Sequence, residues 1–250
     1  MHHVTFDNLY YRYPGATSDS LKGVSLDFPP GQRVALLGRN GSGKSTLMLH
    51  GNGILKPHRG AVRLNGEAVD YSHAALVLLR RHVGLVFQNP DDQLFSASVA
   101  QDISFGPLNL GLDESEARAR VQMAADLCEV TDLLERPTHA LSGGEKTRVA
   151  LAGILAMDPN VLLADEVTSN LDPWMRRQVL RIFQRLVKRG KTVVLATHDM
   201  NLAQRWADRL IIMDAGALIA DGPPQTVFAN PQVRLALGLD YLDDWNDHGS

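Results

Sequence analysis

One octapeptide, Gly38-Arg39-Asn40-Gly41-Ser42-Gly43-Lys44-Ser45, constrains this chain more than any other stretch. It follows the apolar run Val34 to Leu37 and leads into Thr46-Leu47-Met48-Leu49, so a buried strand passes through a glycine loop into a helix. Glycines let backbone N–H groups face phosphate oxygens with no Cβ in the way. The helix N-terminus adds a dipole that favours anions. Lys44 brings a point charge to the outer phosphates, and Ser45 offers a hydroxyl to Mg²⁺. The pattern predicts a nucleotide site built from Gly38, Asn40, Gly41, Ser42, Gly43, Lys44, Ser45 and Thr46.

The flanking segments suit such a loop. Val4 to Phe28 reads as two strands of a small antiparallel sheet around the turn Pro14-Gly15. Gly60 to Gly66, Val83 to Gln88, Val161 to Asp165 and Thr192 to Thr197 read as further strands. A helix is expected from about Trp174 to Arg189, closed by Gly190, and a hairpin from Arg209 to Asp221 around Asp214-Ala215-Gly216. Leu94 to Met157 carries helical periodicity, as in Glu116 to Leu127, and reads as a helical insertion. Strands alternating with helices imply a parallel α/β sheet with crossovers.

With 250 residues and 44% apolar side chains, a sizeable core is within reach. The net charge of −3 excludes a strongly basic nucleic-acid binder and a polybasic membrane anchor. No run approaches the ~20 apolar residues of a membrane span. The one cysteine, Cys128, rules out an internal disulfide, reads as a small buried hydrophobe and fits a reducing cytoplasm.

Val161 to Asp165 is an apolar strand ending in a carboxylate, with Glu166 next. Alone, that is equally a strand-end turn. Pointed at a phosphate loop, Asp165 can sit beside Mg²⁺ and Glu166 can orient an attacking water. Leu141-Ser142-Gly143-Gly144-Glu145 precedes another helical run. Ser142 and Glu145 are spaced as a capping box, which needs no further function. Two glycines beside a cap are entropically costly, however, and suit a turn that must approach a second group closely. A serine hydroxyl, glycine N–H groups and a helix tip form a second anion site. Two chains packed head to tail could then hold one triphosphate between them.

Taken in order, these stretches resemble the ATPase domain of ABC transporters over about Val4 to Phe228. Gly38 to Ser45 is similar to the Walker A loop, Val161 to Asp165 to Walker B, and Leu141 to Glu145 to the signature that sets this family apart from other P-loop proteins. Gln88 resembles the Q-loop glutamine, Ser169 to Asp172 the D-loop, and His198 in Thr197-His198-Asp199 the switch histidine. Tyr13, before Pro14, resembles the aromatic residue that stacks on adenine. The resemblance implies a RecA-like P-loop NTPase fold: a parallel-sheet core with a small β subdomain (residues 1–88 and 159–232), a helical subdomain (89–158) and an acidic tail (233–250). It makes Glu166, His198 and Lys44 catalytic. It assigns Tyr13, the Gly38–Thr46 loop, Gln88, Ser142, Gly143 and Gly144 to ATP, and Ser45, Gln88 and Asp165 to Mg²⁺. Singly, Gln88 could be an exposed strand-end residue, His198 a scattered histidine and Tyr13 a strand aromatic.

Phe87 to Phe95 resembles the Q-loop of energy-coupling-factor (ECF) transporters, which import vitamins and transition metals. That resemblance implies a groove near Gln88–Phe95 for a helix of a transmembrane subunit, with Leu94 and Phe95 as apolar anchors; a capped helix start at Asp91 or Asp92 with both side chains in the core is the plain alternative. Glu145 and Lys146 are closer to the cobalt/nickel branch than to the vitamin branch. The implied partners are a second copy in an ATP sandwich (a heterodimer also occurs in the family), the coupling subunit, and indirectly a substrate-binding membrane subunit. The implied place is the cytoplasmic face of the bacterial inner membrane, bound peripherally. Rival expectations are a vitamin importer, a soluble regulatory ABC protein and a small-molecule P-loop kinase. Three residues depart from the family pattern: Val167 where proline is usual, Asn170 where a small residue is usual, and Ala164 where leucine is usual.

Overall fold

The computed structural model describes residues 3–238. In chain order, its strands and helices are β1 (Val4–Tyr11), β2 (Leu21–Phe28), β3 (Arg33–Leu37), α1 (Lys44–Gly51), β4 (Arg59–Leu64), β5 (Glu67–Ala68), α2 (His73–His82) and β6 (Val83–Val86). There follow α3 (Val99–Asn109), α4 (Glu114–Cys128), α5 (Gly143–Leu155), β7 (Val161–Asp165), α6 (Pro173–Lys188), β8 (Thr192–Ala196), α7 (Met200–Trp206), β9 (Arg209–Asp214), β10 (Ala217–Gly222), α8 (Pro224–Phe228) and α9 (Pro231–Leu237).

The strands form two sheets, a four-stranded antiparallel one in the order β2-β1-β4-β5 and a six-stranded one in the order β10-β9-β3-β8-β7-β6. In the larger sheet β9, β3, β8, β7 and β6 run parallel, and β10 closes one edge antiparallel. Strands β6, β7 and β8 are buried at every residue, which is why they read as unbroken apolar runs. Successive residues of β3 face opposite layers. Ala35 and Leu37 join the core under α3 to α6, whereas Val34 and Leu36 join the core shared with the antiparallel sheet. Each such fully buried Leu or Val contributes about 1.5–3 kcal/mol.

Register sets the site. Leu36 of β3 and Asp165 of β7 both lie opposite Ala196 of β8. The carboxyl ends of three adjacent strands, about 4.8 Å apart, therefore deliver Gly38, Glu166 and His198 to one rim. Between β6 and β7 lie α3, α4 and α5, the first starting at Val99 and not at Leu94. Gly143 and Gly144 lie within the first turn of α5. The boundary expected after residue 232 falls inside α9, whose Val233 is fully buried in the core, so the body of the fold runs on past that point. The acidic stretch Asp240 to Asp247 lies outside the described residues. Cys128 is buried, as its apolar surroundings in α4 demand.

Candidate active site

The loop after β3 is held in a shape that excludes side chains. A Cβ on Gly38 would sit 2.3 Å from the Met213 carbonyl oxygen. One on Gly43 would sit 2.7 Å from the Ser20 carbonyl oxygen, and the Gly43 φ of 103° is itself left-handed. With Gly43 as its N-cap, α1 starts at Lys44 and aims its free N–H groups into a cavity of about 390 Å³. Tyr13, Ser20, Asn40, Gly41, Ser42, Gly43, Lys44, Ser45, Thr46, Gln88 and Glu166 line it.

Lys44 is buried at 6% exposure. Its Nζ donates to the carbonyls of Gly38 at 2.7 Å and Arg39 at 3.3 Å. Burial pushes its pKa down, while Glu166 and Asp165 pull it back up. Asp165, at the end of β7, is driven the other way. Desolvation raises its pKa and a hydrogen bond with Ser45 opposes that. Its Oδ1 is buried with no hydrogen-bond partner in the protein, as is the Ser42 hydroxyl. Unsatisfied buried oxygens cost about 1–3 kcal/mol each, a cost that a ligand reaching them would offset.

Glu166 turns the chain sharply with φ 51°. Its N–H donates to the Ala196 carbonyl at 3.1 Å. Its Oε2 accepts from the Ser169 hydroxyl and lies 2.9 Å from His198 Nδ1. Ser169 was expected in the segment that resembles the D-loop, but its contact with Glu166 was not. Its signal is local, because a residue three positions on returns through this turn, where the Ser169 N–H meets the Glu166 carbonyl at 3.0 Å. Ser20 was also missed, since it reaches the cavity only through the pairing of distant segments. Tyr13 stands at the far wall, 38% exposed, with its hydroxyl 3.2 Å from Thr46 Oγ1. Tyr11 meets the Tyr13 ring edge-on at 5.0 Å and rests on buried His50 at 4.7 Å.

Gly38, Asp165 and His198 do not line this cavity but bond to Lys44, Ser45 and Glu166, which do; three further predicted residues are not brought near it. Ser142, Gly143 and Gly144 open α5 elsewhere on the surface. The capping box is real: the Glu145 N–H meets Ser142 Oγ at 3.4 Å, and the Ser142 N–H meets Glu145 Oε2 at 2.7 Å. Ser142 and Gly143 are exposed. Gly144 packs so closely on α6 that a Cβ there would lie 2.3 Å from Met175 Cε.

A second, largely apolar cleft of about 630 Å³ runs between the end of β6 and the helical layer, with Ile54, Phe87, Phe95, Phe105 and Ile154 among its walls. Phe95 is 65% exposed and meets Phe105 edge-on at 4.8 Å. Asp102 holds the loop there, accepting from the N–H groups of Phe95 at 2.9 Å and Ser96 at 2.7 Å. Of the two expected anchors, Leu94 is half-buried against the core of the helical layer and does not line the cleft, whereas Phe95 does. The one-turn helix at Pro90–Asp92 is capped by Asn89, not by either aspartate.

Residues 21–169 match the family described as ABC transporter. The chain is 46% identical over 230 residues to the energy-coupling factor transporter ATP-binding protein EcfA of Methanothermobacter thermautotrophicus, covering 92% of this chain and 74% of that one. It is 49% identical over 230 residues to the cobalt import ATP-binding protein CbiO of Rhodobacter capsulatus, covering 92% and 81%. Among solved structures, cbiO1 from Clostridium perfringens, part of the ABC transporter complex cbiONQ, superposes with a TM-score of 0.81 at 40% identity over 96% of this chain and 98% of that one. The ATP-binding cassette MJ0796, solved as a dimer in a post-hydrolysis state with ADP and Pi, superposes with a TM-score of 0.80 at 27% identity over 88% and 98%.

Proposed function

We propose, since this chain belongs to the ATP-binding subunits of ABC transporters of the energy-coupling-factor type, that it powers import of a transition-metal ion, cobalt or nickel, by closing as a homodimer on two ATP molecules. The observation that carries the reading is a separation. The phosphate cradle around Lys44 and the serine-led tip at Ser142–Gly144 lie on one chain, and the tip does not line the cradle's cavity. A second copy packed head to tail supplies the missing wall.

In this reading Gly38, Asn40 to Gly43 and Thr46 wrap the phosphates with backbone N–H groups. Lys44 leaves the Gly38 carbonyl for the β- and γ-phosphates. Tyr13 stacks on adenine, where an aromatic face fits any flat heterocycle. The oxygen set of Ser45, Asp165 and Gln88, with the buried Asp165 Oδ1 lacking a protein partner, fits a hard divalent cation. Those three residues would hold Mg²⁺, which neutralises phosphate charge when bound. Glu166 accepts a hydrogen bond from the attacking water and aligns it with the γ-phosphate, and His198 steadies Glu166 from Nδ1. Ser142, Gly143 and Gly144 of the second copy stabilise charge on the γ-phosphate from the other side. Phosphate release opens the dimer and moves the Phe95 cleft, which carries a helix of the coupling subunit and, through it, the substrate-binding subunit. Among the described residues no helix is long and apolar enough to cross a membrane. The chain works peripherally on the cytoplasmic face of the inner membrane.

The cobalt assignment leans on the likeness to CbiO proteins. The likeness to EcfA proteins favours a second reading, an ECF importer of another cargo such as a vitamin. Copurification with a metal-specific or a vitamin-specific membrane subunit separates the two. The catalytic reading is tested by Glu166→Gln, which should cut hydrolysis by orders of magnitude, keep ATP binding and shift the protein from monomer to dimer in light scattering with ATP. Normal turnover removes Glu166 from its role, and persistent monomer removes the sandwich.

A further inference from the structure

The switch histidine has little of its own to hold it. His198 is 65% exposed at the side chain, so its place on Glu166 depends on the backbone of Thr197 to Asp199. That backbone is pinned at Asp199. The Asp199 N–H donates to Thr197 Oγ1 at 3.1 Å, and its Oδ1 caps α7 by accepting from the Leu202 N–H at 2.9 Å. The remaining oxygen, Oδ2, is taken by Arg176 Nη1 at 3.0 Å.

Arg176 lies in the first turn of α6. Asp172 caps it, accepting from the N–H groups of Trp174 at 2.8 Å and Met175 at 3.0 Å. Met175, the neighbouring residue, is wedged against Gly144. Arg176 Nε is buried without a partner, so the bond to Asp199 is what orients the guanidinium. The two side chains are 35% and 33% exposed. An ion pair that open to solvent adds at most about 1 kcal/mol to stability, which gives the fold little reason to keep it.

We infer that Arg176 is a positioning residue for hydrolysis: by holding Asp199 it fixes the turn that presents His198 to Glu166, and it ties that turn to the α6 face on which Gly144 rests. The inference rests on the ATPase reading of Glu166 and His198. It assigns no contact between Arg176 and nucleotide.

The test uses the full chain with Mg-ATP and three variants, Arg176→Gln, Asp199→Asn and the double. Asparagine caps a helix as well as aspartate does, so Asp199→Asn removes the charge and leaves the cap. Each single variant should lower kcat roughly tenfold to a hundredfold, the range that follows from misplacing a catalytic group by about 1 Å. ATP affinity by calorimetry should stay within about twofold of wild type. The double variant should lose no more than the worse single one, the mark of residues acting as a unit. Singles with kcat within about twofold of wild type overturn the inference. So do losses that multiply in the double, or an affinity that falls in step with kcat. Glu166→Gln run in parallel separates the two levels. If it still hydrolyses ATP, the catalytic reading fails and takes this inference with it. If it is inactive while Arg176→Gln is not impaired, only the inference fails.

Discussion

At the residue scale, the site is a set of groups held in states that water would not choose. Lys44 is a buried ammonium whose hydrogen bonds go to the Gly38 and Arg39 carbonyls. Those bonds are a resting arrangement to neutral acceptors, and a phosphate offers the same ammonium a full negative charge, which adds Coulomb attraction to the hydrogen bond. Lys44→Ala should therefore weaken ATP binding by about 2 kcal/mol or more, roughly thirtyfold in Kd. Isothermal calorimetry at fixed salt reads this directly, and an unchanged Kd would overturn the assignment of the loop. Lys44 was legible from the spacing of the glycine loop, whereas Asp165 and Glu166, ambiguous alone, were legible only beside that loop. Leu94 and Phe95 were not separable in sequence, since adjacent apolar residues in an irregular segment carry no periodicity to say which turns inward. The Ser169 contact was hidden for another reason. It depends on the left-handed φ of Glu166, a conformation uncommon for a residue with a Cβ.

At the element scale, the buried parallel strands were the easiest to read, because both faces are covered and the apolar run has no gaps. Short elements on the rim were harder. Helix α2 buries Leu79 alone among its residues, so its apolar stripe was not distinctive, and β5 is a two-residue edge. Register between distant strands left no trace in composition either. Arg33 at the start of β3 and Asp208 just before β9 show how it is pinned. The guanidinium meets the carboxylate at 2.6 Å and 3.1 Å, the Arg33 N–H donates to Asp208 Oδ2 at 3.0 Å, and the Asp208 N–H donates to the Arg33 carbonyl at 2.8 Å. The Arg33 hydrogen bond holds the Asp208 carboxyl below its ordinary pKa. A depressed carboxylate stabilises the fold at pH above its unfolded value, about 3.9, and that contribution is lost as pH falls through the folded value. Both side chains are partly exposed. After screening, Asp208→Asn should cost about 0.5–1 kcal/mol at pH 7, about 1–4 °C in Tm for a chain of this size. The gap between variant and wild type should close below about pH 4. A Tm difference independent of pH would assign the pair's contribution to packing and not to charge.

At the scale of the whole molecule, two of the surfaces open among the described residues of a single chain lie beside moving parts of the proposed cycle. One is the serine-led tip. The other is the Phe95 cleft, which begins within the same loop that carries Gln88 to the nucleotide cavity. Exposing one phenylalanine at 65% beside a second at 49% leaves apolar surface in water that a partner helix could cover. Asp102 and Thr138 hold the loop at Phe95 and Ser96, so the ring is presented by a fixed backbone and needs little ordering on binding. Phe95→Asp should leave the fold intact, with Tm changed by no more than about 2 °C, since surface substitutions of this kind stay near 0.5 kcal/mol. It should weaken association with the transmembrane subunit at least tenfold, the effect expected at a central aromatic anchor. Coexpression and membrane flotation of variant and wild type read the difference. If the variant floats with its membrane partner as well as wild type does, the cleft is not the docking surface, and the link from ATP-driven closure to transport must run through another face of the helical layer.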